Sequence, residues 1–131
     1  MMQVFIDEVN AYIDETSAEN MQEFILPLKH AIVDISELTQ EVLIKSSANP
    51  NELGSAANDY LHVFGYTAMA FVWAKMAEVS LGKQQSGDSF YLSKIQTARY
   101  YFARMLPRTQ SLILAIKAGS QSLFDIDDDL F

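Results

Sequence analysis

Apolar residues recur at helical spacing along almost the whole chain, and no stretch alternates between apolar and polar residues over a useful length. The clearest run occupies residues 21–42, where apolar side chains follow one another in steps of three and four. Side chains at this spacing share one face of an α-helix. The periodicity predicts an all-α fold. The stripe consists of Met21, Phe24, Ile25, Leu28, Ala31, Ile32, Ile35, Leu38 and Val42.

Capping signals divide the chain into four predicted helices. The first covers about residues 3–15, and the second starts at a capping box with Thr16 as N-cap and Glu19 three residues later. The third starts with Asn49 as N-cap and Pro50 at the first helical position.

The end of the third helix and the limits of the fourth are set by similar signals. The third is predicted to end near Leu81, where Gly82 suits a left-handed C-terminal cap. Asp88 is the predicted N-cap of the fourth helix, which then continues to Gly119.

Two prolines fall inside these helical patterns, Pro27 in the second helix and Pro107 in the fourth. An internal proline removes one backbone hydrogen bond and clashes with the carbonyl four residues earlier, which costs about 3 kcal/mol unless the helix bends. We therefore predict kinks between Glu23 and Pro27 and near Ala103.

The expected architecture is one up-and-down bundle of about four helices, two of them long and proline-kinked. A chain of 131 residues has the length of a single domain. Within it we expect a short leading helix over residues 1–18, the bundle over residues 19–119 and an acidic tail over residues 120–131.

Composition argues for a cytoplasmic protein. The chain has no cysteine, which excludes disulfides, thiolate zinc sites and cysteine nucleophiles within it. The first ten residues carry Asp7 and Glu8 where a signal peptide would be apolar. The longest uncharged run, residues 60–74, is shorter than the roughly 18 to 20 apolar residues of a membrane-spanning helix. No membrane span is predicted.

Charge is divided along the chain, whose net charge is −8. Residues 1–60 hold eleven acids and two lysines, whereas residues 94–117 hold five cations and no acid. A duplex-binding domain gains affinity by neutralising several phosphates with clustered cations, so the acidic balance argues against nucleic acid as a partner.

No residue pattern identifies a catalytic, cofactor-binding or metal site. Asp59 and His62 share a helix face, but a carboxylate-bridged metal centre needs a second such pair and further glutamates. Residues 125–129 read as a solvated acidic tail, because an EF-hand requires a glycine and a glutamate that do not follow them. Phosphate-binding loops and nucleophile elbows have no counterpart in the sequence.

The third helix is apolar on nearly every side, which is typical of a helix that is central in its bundle or covered by a partner. Both readings stay open. Gly65 lies in the middle of this helix, where glycine costs about 1 kcal/mol relative to alanine. The expected reason is the close approach of another helix.

The segment 94–109 combines four cations with a Tyr-Tyr-Phe cluster. On a helix, its cations flank an apolar stripe that includes Phe102, and long basic side chains commonly lie along such stripes with their charge in water or near a carboxylate. Lys94 and Arg99 are therefore expected to pair with carboxylates of the bundle or of a partner, and Arg99 with an acid of helix two or three.

Segments 56–77 and 93–119 resemble the C-terminal domain of the long acyl-CoA dehydrogenases, enzymes that carry an extra helical domain after the standard flavoprotein body. Those acting on methylthiopropanoyl-CoA are among them. The resemblance covers about residues 20–131. The matching positions are Tyr60-Leu61, Phe64-Gly65, Trp73, Met76-Ala77, Lys94, Thr97-Ala98-Arg99, Phe102, Leu106-Pro107 and Ala118-Gly119.

The resemblance implies a parent reaction, the flavin-dependent α,β-dehydrogenation of an acyl-CoA, in which a glutamate removes the α-proton and FAD accepts hydride. The parts of those enzymes that hold the flavin, the thioester and the glutamate match no position here. No catalytic or FAD-contacting residue is therefore carried over, and FAD belongs to the parent family.

The function expected from the resemblance is that of a non-catalytic C-terminal domain, which packs on the catalytic body or stabilises the oligomer. The alternative is a stand-alone interaction module that forms a homodimer through its third helix. Structural or interface roles are expected for Gly65, Trp73, Lys94, Arg99, Phe102 and Pro107.

Overall fold

The structure, a computed structural model, describes residues 2–121 and residue 125. Its helices are α1 (Met2–Glu15), α2 (Gln22–Ala48), α3 (Asn51–Lys83), α4 (Ser89–Tyr100) and α5 (Thr109–Lys117). A π turn (Tyr101–Met105) and a 3-10 turn (Leu106–Arg108) join α4 to α5, so that these two helices together correspond to the fourth predicted helix. The described residues contain no strand, and the all-α bundle is confirmed.

The core is built on the apolar stripe of α2. Every member of the predicted stripe between Met21 and Val42 is buried. Phe24, Leu28 and Ile35 are among the largest side chains that are completely enclosed. α2 packs against both α3 and α1. Burial of side chains of this size contributes about 1.5 to 3 kcal/mol each, so α2 supplies much of the stability.

α3 is the central helix, since it packs against α2, α4 and α5. Its buried face consists mainly of small side chains, which allow neighbouring helices to approach closely; Ala70, Ala74 and Ala77 have no exposed surface. The amino-terminal helix also reaches α3, where Phe5 stacks edge-to-face on Phe64 with 5.1 Å between ring centroids.

Two of the predicted helix caps are confirmed. Asn49 has an extended backbone and Pro50 already has helical dihedral angles, although the hydrogen-bonded helix α3 begins at Asn51. The Oδ1 of Asn49 accepts a hydrogen bond from the N–H of Asn51 at 3.1 Å, so Asn49 acts as the cap. Asp88 caps α4 in the same way, because its Oδ1 accepts from the N–H of Phe90 at 2.9 Å.

The predicted capping box at Thr16 is wrong. The Thr16 hydroxyl donates to the carbonyl of Tyr12 at 2.6 Å, so this side chain closes α1 instead of opening α2. A 3-10 turn, Glu19–Met21, intervenes before α2, and its N-cap, Ala18, has no side chain that can accept a hydrogen bond. The N–H of Thr16 donates to the carbonyl of Ile13, which leaves the carbonyl of Tyr12 to accept from the Thr16 hydroxyl.

The predicted C-terminal cap at Gly82 is also wrong. α3 continues through Gly82 to Lys83 and is followed by a 3-10 turn, Gln84–Ser86. The left-handed residue is Gly87, whose φ is 80°, so the additional turn moves the chain reversal five residues along.

The fourth helix is interrupted where Pro107 was expected to disturb it. Pro107 has no N–H to offer a carbonyl one turn earlier, and the backbone changes to a π turn and then a 3-10 turn between Tyr101 and Arg108. Pro27, in contrast, lies within an uninterrupted α2. The bends themselves stay predictions.

Glu52 ties the end of α5 to the first turn of α3. Its Oε2 accepts from the N–H of Ser120 at 3.1 Å, and its Oε1 accepts from the Ser120 hydroxyl at 2.7 Å. Gly119 approaches the same carboxylate with a φ of 77°, a conformation that favours glycine. The carboxylate thus accepts from both the backbone and the side-chain donor of Ser120, a buried residue.

We expect Glu52→Ala to lower the free energy of unfolding by about 1.5 to 3 kcal/mol, because hydrogen bonds to a charged acceptor are lost and Ser120 is left buried without them. Urea denaturation measures this. Glu8→Ala, an exposed change on α1, is the control and should shift stability by less than about 0.5 kcal/mol. Equal effects of the two substitutions would contradict the assigned role of Glu52.

Candidate interaction surface

One face of α3 is not covered by the rest of the bundle. Along it lie Leu61, Met69, Val72 and Val79, which are 64%, 47%, 45% and 55% exposed. At 100° per residue these side chains fall within one sector, roughly opposite the alanines that contact the other helices. The third helix is therefore central and also leaves apolar surface uncovered, a combination typical of a protein that binds a partner.

Two grooves lie along this face, between α3 and the segment formed by α4 and the π turn. The first, here called the Gly65 groove, has a volume of about 440 Å³ and is lined by Leu61, His62, Gly65, Tyr66, Met69, Tyr101 and Met105. The second, here called the lysine groove, has a volume of about 410 Å³ and is lined by Val72, Lys75, Met76, Val79, Ser80, Phe90, Tyr91 and Lys94.

Within the described residues no other helix approaches Gly65 closely, so the expected packing role inside the bundle is wrong. A Cβ atom placed on Gly65 would have no atom of a neighbouring element within 4 Å. The helix contacts of α3 are made by its small buried residues, such as Ala70 and Ala74, on the other side. Gly65 instead opens the floor of an outward-facing groove.

Tyr101 forms the wall of the Gly65 groove and anchors the π turn to α3. Its hydroxyl donates to the carbonyl of Tyr66 at 2.6 Å, and the residue is 8% exposed. Burial, together with the interaction with Tyr66, raises the pKa of Tyr101 to about 12. The sequence indicates only that this tyrosine belongs to an aromatic cluster, because a regular helical projection does not include the π turn in which it lies.

Phe102 and Trp73 contribute to packing. The ring of Phe102 meets that of Phe24 on α2 edge-to-face, with 5.5 Å between centroids. Trp73 is half-buried against the core, and the Nζ of Lys94 lies 6.0 Å from its ring.

Lys94 was expected to pair with a carboxylate of the bundle or of a partner; the bundle alternative is wrong, and the partner alternative stays a prediction. Among the described residues, no carboxylate oxygen lies within 4.0 Å of its Nζ. The ammonium group instead lies 5.1 Å from the ring centroid of Phe90, which is one turn earlier in α4. Lys94 sits between aromatic rings of α3 and α4, where the faces of the rings attract a cation.

Arg99 makes the ion pair that was predicted, and its partner is on α2. Its Nε donates to Glu23 Oε1 at 2.7 Å, and its Nη2 donates to Glu23 Oε2 at 3.1 Å. The two side chains are 51% and 43% exposed, so water screens the pair strongly.

The described residues show neither a cluster of metal-ligating side chains nor a helix that could span a membrane. Among residues 2–121 and 125, no three side chains of the His, Asp and Glu type converge on one point. The ring of His62 is hydrogen-bonded at Nδ1 to the carbonyl of Asn58, at 2.8 Å, and Asp59 plays no part in this contact. No helix in this part of the chain is long and apolar enough to cross a membrane. Residues 126–129 of the acidic tail lie outside the described residues.

A family model described as "Acetyl-CoA dehydrogenase C-terminal like" matches residues 5–127. The chain belongs to this family. The match includes most of α1 and so extends further toward the amino terminus than the resemblance described above. No curated protein matches the chain significantly. Both grooves therefore lie on the outer surface of an acyl-CoA dehydrogenase C-terminal domain.

For this domain we expect Arg99→Met to lower the free energy of unfolding by less than about 1 kcal/mol and to leave the fold intact, because exposed ion pairs contribute little. A double-mutant cycle with Glu23→Gln in urea isolates the pair. A coupling energy above about 2 kcal/mol would contradict this reading of the pair as a screened surface contact.

We expect Tyr101→Phe to lower the free energy of unfolding at pH 7 by about 0.5 to 1.5 kcal/mol, because the hydrogen bond to Tyr66 is lost. A pKa raised from 10.0 to about 12 means that the folded state favours the neutral phenol. This contribution is complete below pH 10 and is lost as the pH rises to 12, so the variant should lose less stability across that range. Tyr100→Phe, at an exposed neighbour, is the control. Identical alkaline profiles for the wild type and Tyr101→Phe would contradict the prediction.

Proposed function

We propose that this chain acts as a non-catalytic C-terminal domain of a FAD-dependent acyl-CoA dehydrogenase and that it packs on the catalytic body through the Gly65 groove. The observation that carries the proposal is a glycine in the middle of the longest helix with no internal packing reason, at the floor of an open apolar groove. Glycine there destabilises the isolated domain. A partner side chain seated over Gly65 accounts for it.

The composition of the groove supports a protein partner. Methionine and tyrosine line it, and no lysine, arginine, aspartate or glutamate does. The centres of protein interfaces are depleted of charged residues and enriched in aromatic residues and methionine. Tyr101 holds one wall rigid, so that little conformational entropy is lost when a partner binds.

The catalytic chemistry belongs to the body of the enzyme. The residues of the two grooves do not fit FAD, because neither groove presents a row of backbone N–H groups for a pyrophosphate, and we assign no catalytic or flavin-binding residue to this domain. Within the family we propose the subgroup that acts on methylthiopropanoyl-CoA and related acyl thioesters, on the basis of the two segments that resemble it, and a cytoplasmic enzyme of fatty acid metabolism.

A homodimer formed through the same face of α3 is the second candidate, because the exposed leucine, methionine and valines favour any apolar partner. The two candidates differ in the mass of the isolated chain and in its affinity for a body. A chain that dimerises through the Gly65 groove and does not bind the body would favour the second candidate.

We expect Met69→Lys and Leu61→Lys each to weaken binding to the catalytic body of an acyl-CoA dehydrogenase of this class, prepared without its own C-terminal domain, by at least tenfold. A lysine would place a charge in the centre of an apolar interface, where its desolvation is costly. Calorimetry measures the affinity. The control is Leu114→Lys, at a leucine of α5 that is 70% exposed and lines neither groove. Equal affinities of all three variants would overturn the proposed surface.

We expect Gly65→Ala to raise the free energy of unfolding of the isolated chain by about 0.5 to 1 kcal/mol, because the added methyl group meets nothing and alanine favours the helix. The same change should weaken binding to the catalytic body. Gly54→Ala is the matched control, since Gly54 is also in α3 and also has no atom near its Cβ position. It should stabilise the chain without altering affinity. A gain in stability with no loss of affinity at Gly65 would count against a side chain seated over this glycine.

A further inference from the structure

We propose that the lysine groove binds the acidic segment 125–131 of a second copy of this chain. This inference does not depend on the proposed function, because it concerns a different groove and a different partner.

The lysine groove concentrates positive charge in an acidic protein. Lys75 lies 4.7 Å from the ring centroid of Phe71, Lys83 lies 5.7 Å from that of Tyr91, and Lys94 lies 5.1 Å from that of Phe90. Within the described residues, no carboxylate oxygen comes within 4.0 Å of any of the three ammonium groups. A chain with seventeen acids and nine lysines and arginines thus has two lysines, Lys75 and Lys94, in the lining of one apolar groove. A third, Lys83, lies against the groove residue Tyr91.

The groove itself is apolar beneath these cations. Its floor is formed by Val72, Met76 and Val79 of α3, and Phe90 of α4 stands at its side. An occupant that fits both features carries carboxylates at its edges and apolar side chains toward the floor.

The segment 125–131 has this composition. It reads DIDDDLF, with four aspartates and three large apolar residues in seven positions. No other stretch of the sequence holds as many acids and apolar residues without an intervening cation or small polar residue over this length. Charge complementarity therefore favours this segment as the occupant.

The segment of the same copy is too far from the groove. Ser120 is bound to Glu52 at the start of α3, and Asp125 is held one turn further on by its N–H, which donates to the carbonyl of Gln121 at 2.9 Å. Lys75 follows Glu52 by 23 positions along α3, or about 35 Å at 1.5 Å per residue. Asp129 lies four residues beyond Asp125 and can extend only about 14 Å from it. The aspartates can therefore reach the lysines of another copy but not their own.

Each copy carries one groove, toward the carboxyl end of α3, and one acidic segment, which follows the attachment of Ser120 to the start of α3 in the chain. Two copies can exchange their segments reciprocally around a two-fold axis, which closes the assembly as a dimer. Because the contact joins opposite charges at the protein surface, its affinity should fall as salt rises.

The test is sedimentation equilibrium of the 131-residue chain and of charge-reversed variants. We expect the wild type to dimerise, and both Lys75→Glu/Lys94→Glu and Asp127→Lys/Asp128→Lys to weaken the dimer by at least roughly tenfold. The chain that carries all four substitutions should dimerise again, because the two charges are exchanged. Lys29→Glu/Lys117→Glu has the same net charge as the groove variant and should dimerise within about threefold of the wild type.

Trp73, the single tryptophan, provides a local readout because Lys94 lies beside its ring. A synthetic peptide with residues 121–131 should change its fluorescence and dissociate the dimer. A wild-type chain that stays monomeric at high concentration, or a four-substitution chain that fails to dimerise while remaining folded by circular dichroism, would overturn the proposal. A dimer that is insensitive to these charges but is broken by Met69→Lys would also overturn the proposal, and it would indicate association through the Gly65 groove. Loss of binding to the catalytic body, in contrast, bears only on the proposed function.

Discussion

The packing of α3 is the constraint on which the rest of the molecule depends. A single helix here has α2, α4 and α5 as neighbours, and small side chains such as Ala70, Ala74 and Ala77 are what allow this. A larger residue at any of them would separate two helices and open a void, at a cost of about 1 to 3 kcal/mol. With α1 also packed on Phe64 and Phe71, the remaining face of α3 is left to solvent or to a partner, and both grooves lie on it.

Arg99 and the two lysines that line the lysine groove are used differently. The planar guanidinium of Arg99 meets both oxygens of Glu23 and joins α4 to the start of α2. The ammonium groups of Lys75 and Lys94 instead rest against aromatic rings. A guanidinium suits two-point contact with a carboxylate, whereas a lysine head remains free to exchange one partner for another. Arg99 therefore makes a contact between two helices, whereas Lys75 and Lys94 can leave their aromatic rings for another partner.

Local physical chemistry explains which features could be predicted from the sequence. The buried stripe of α2 follows from the spacing of its apolar residues alone. The caps Asn49 and Asp88 could be predicted because each side chain accepts from the backbone N–H only two residues later in the chain. Thr16 and Gly82 were misassigned because each could serve either of two neighbouring backbone arrangements. Gly65 and Lys94 were misassigned because their surroundings come from other helices, and a single helical projection does not show which helix lies opposite. The surplus apolar surface of α3 could be anticipated, but its division into an uncharged groove and a lysine-rimmed groove could not.

The π turn between α4 and α5 has a consequence for chain length. The buried positions Ala98, Tyr101, Leu106, Thr109, Ile113 and Ile116 are separated by three, five, three, four and three residues, so the only five-residue step coincides with the π turn. The turn thus accommodates one residue more than a regular helix with the same buried face would need. A family member that is one residue shorter at this point could form an unbroken helix and still present the same side chains to its core. Deletion of a single residue between Tyr101 and Met105 would remove this extra residue and keep the downstream positions in register, whereas a deletion elsewhere in a helix would rotate everything downstream by about 100°.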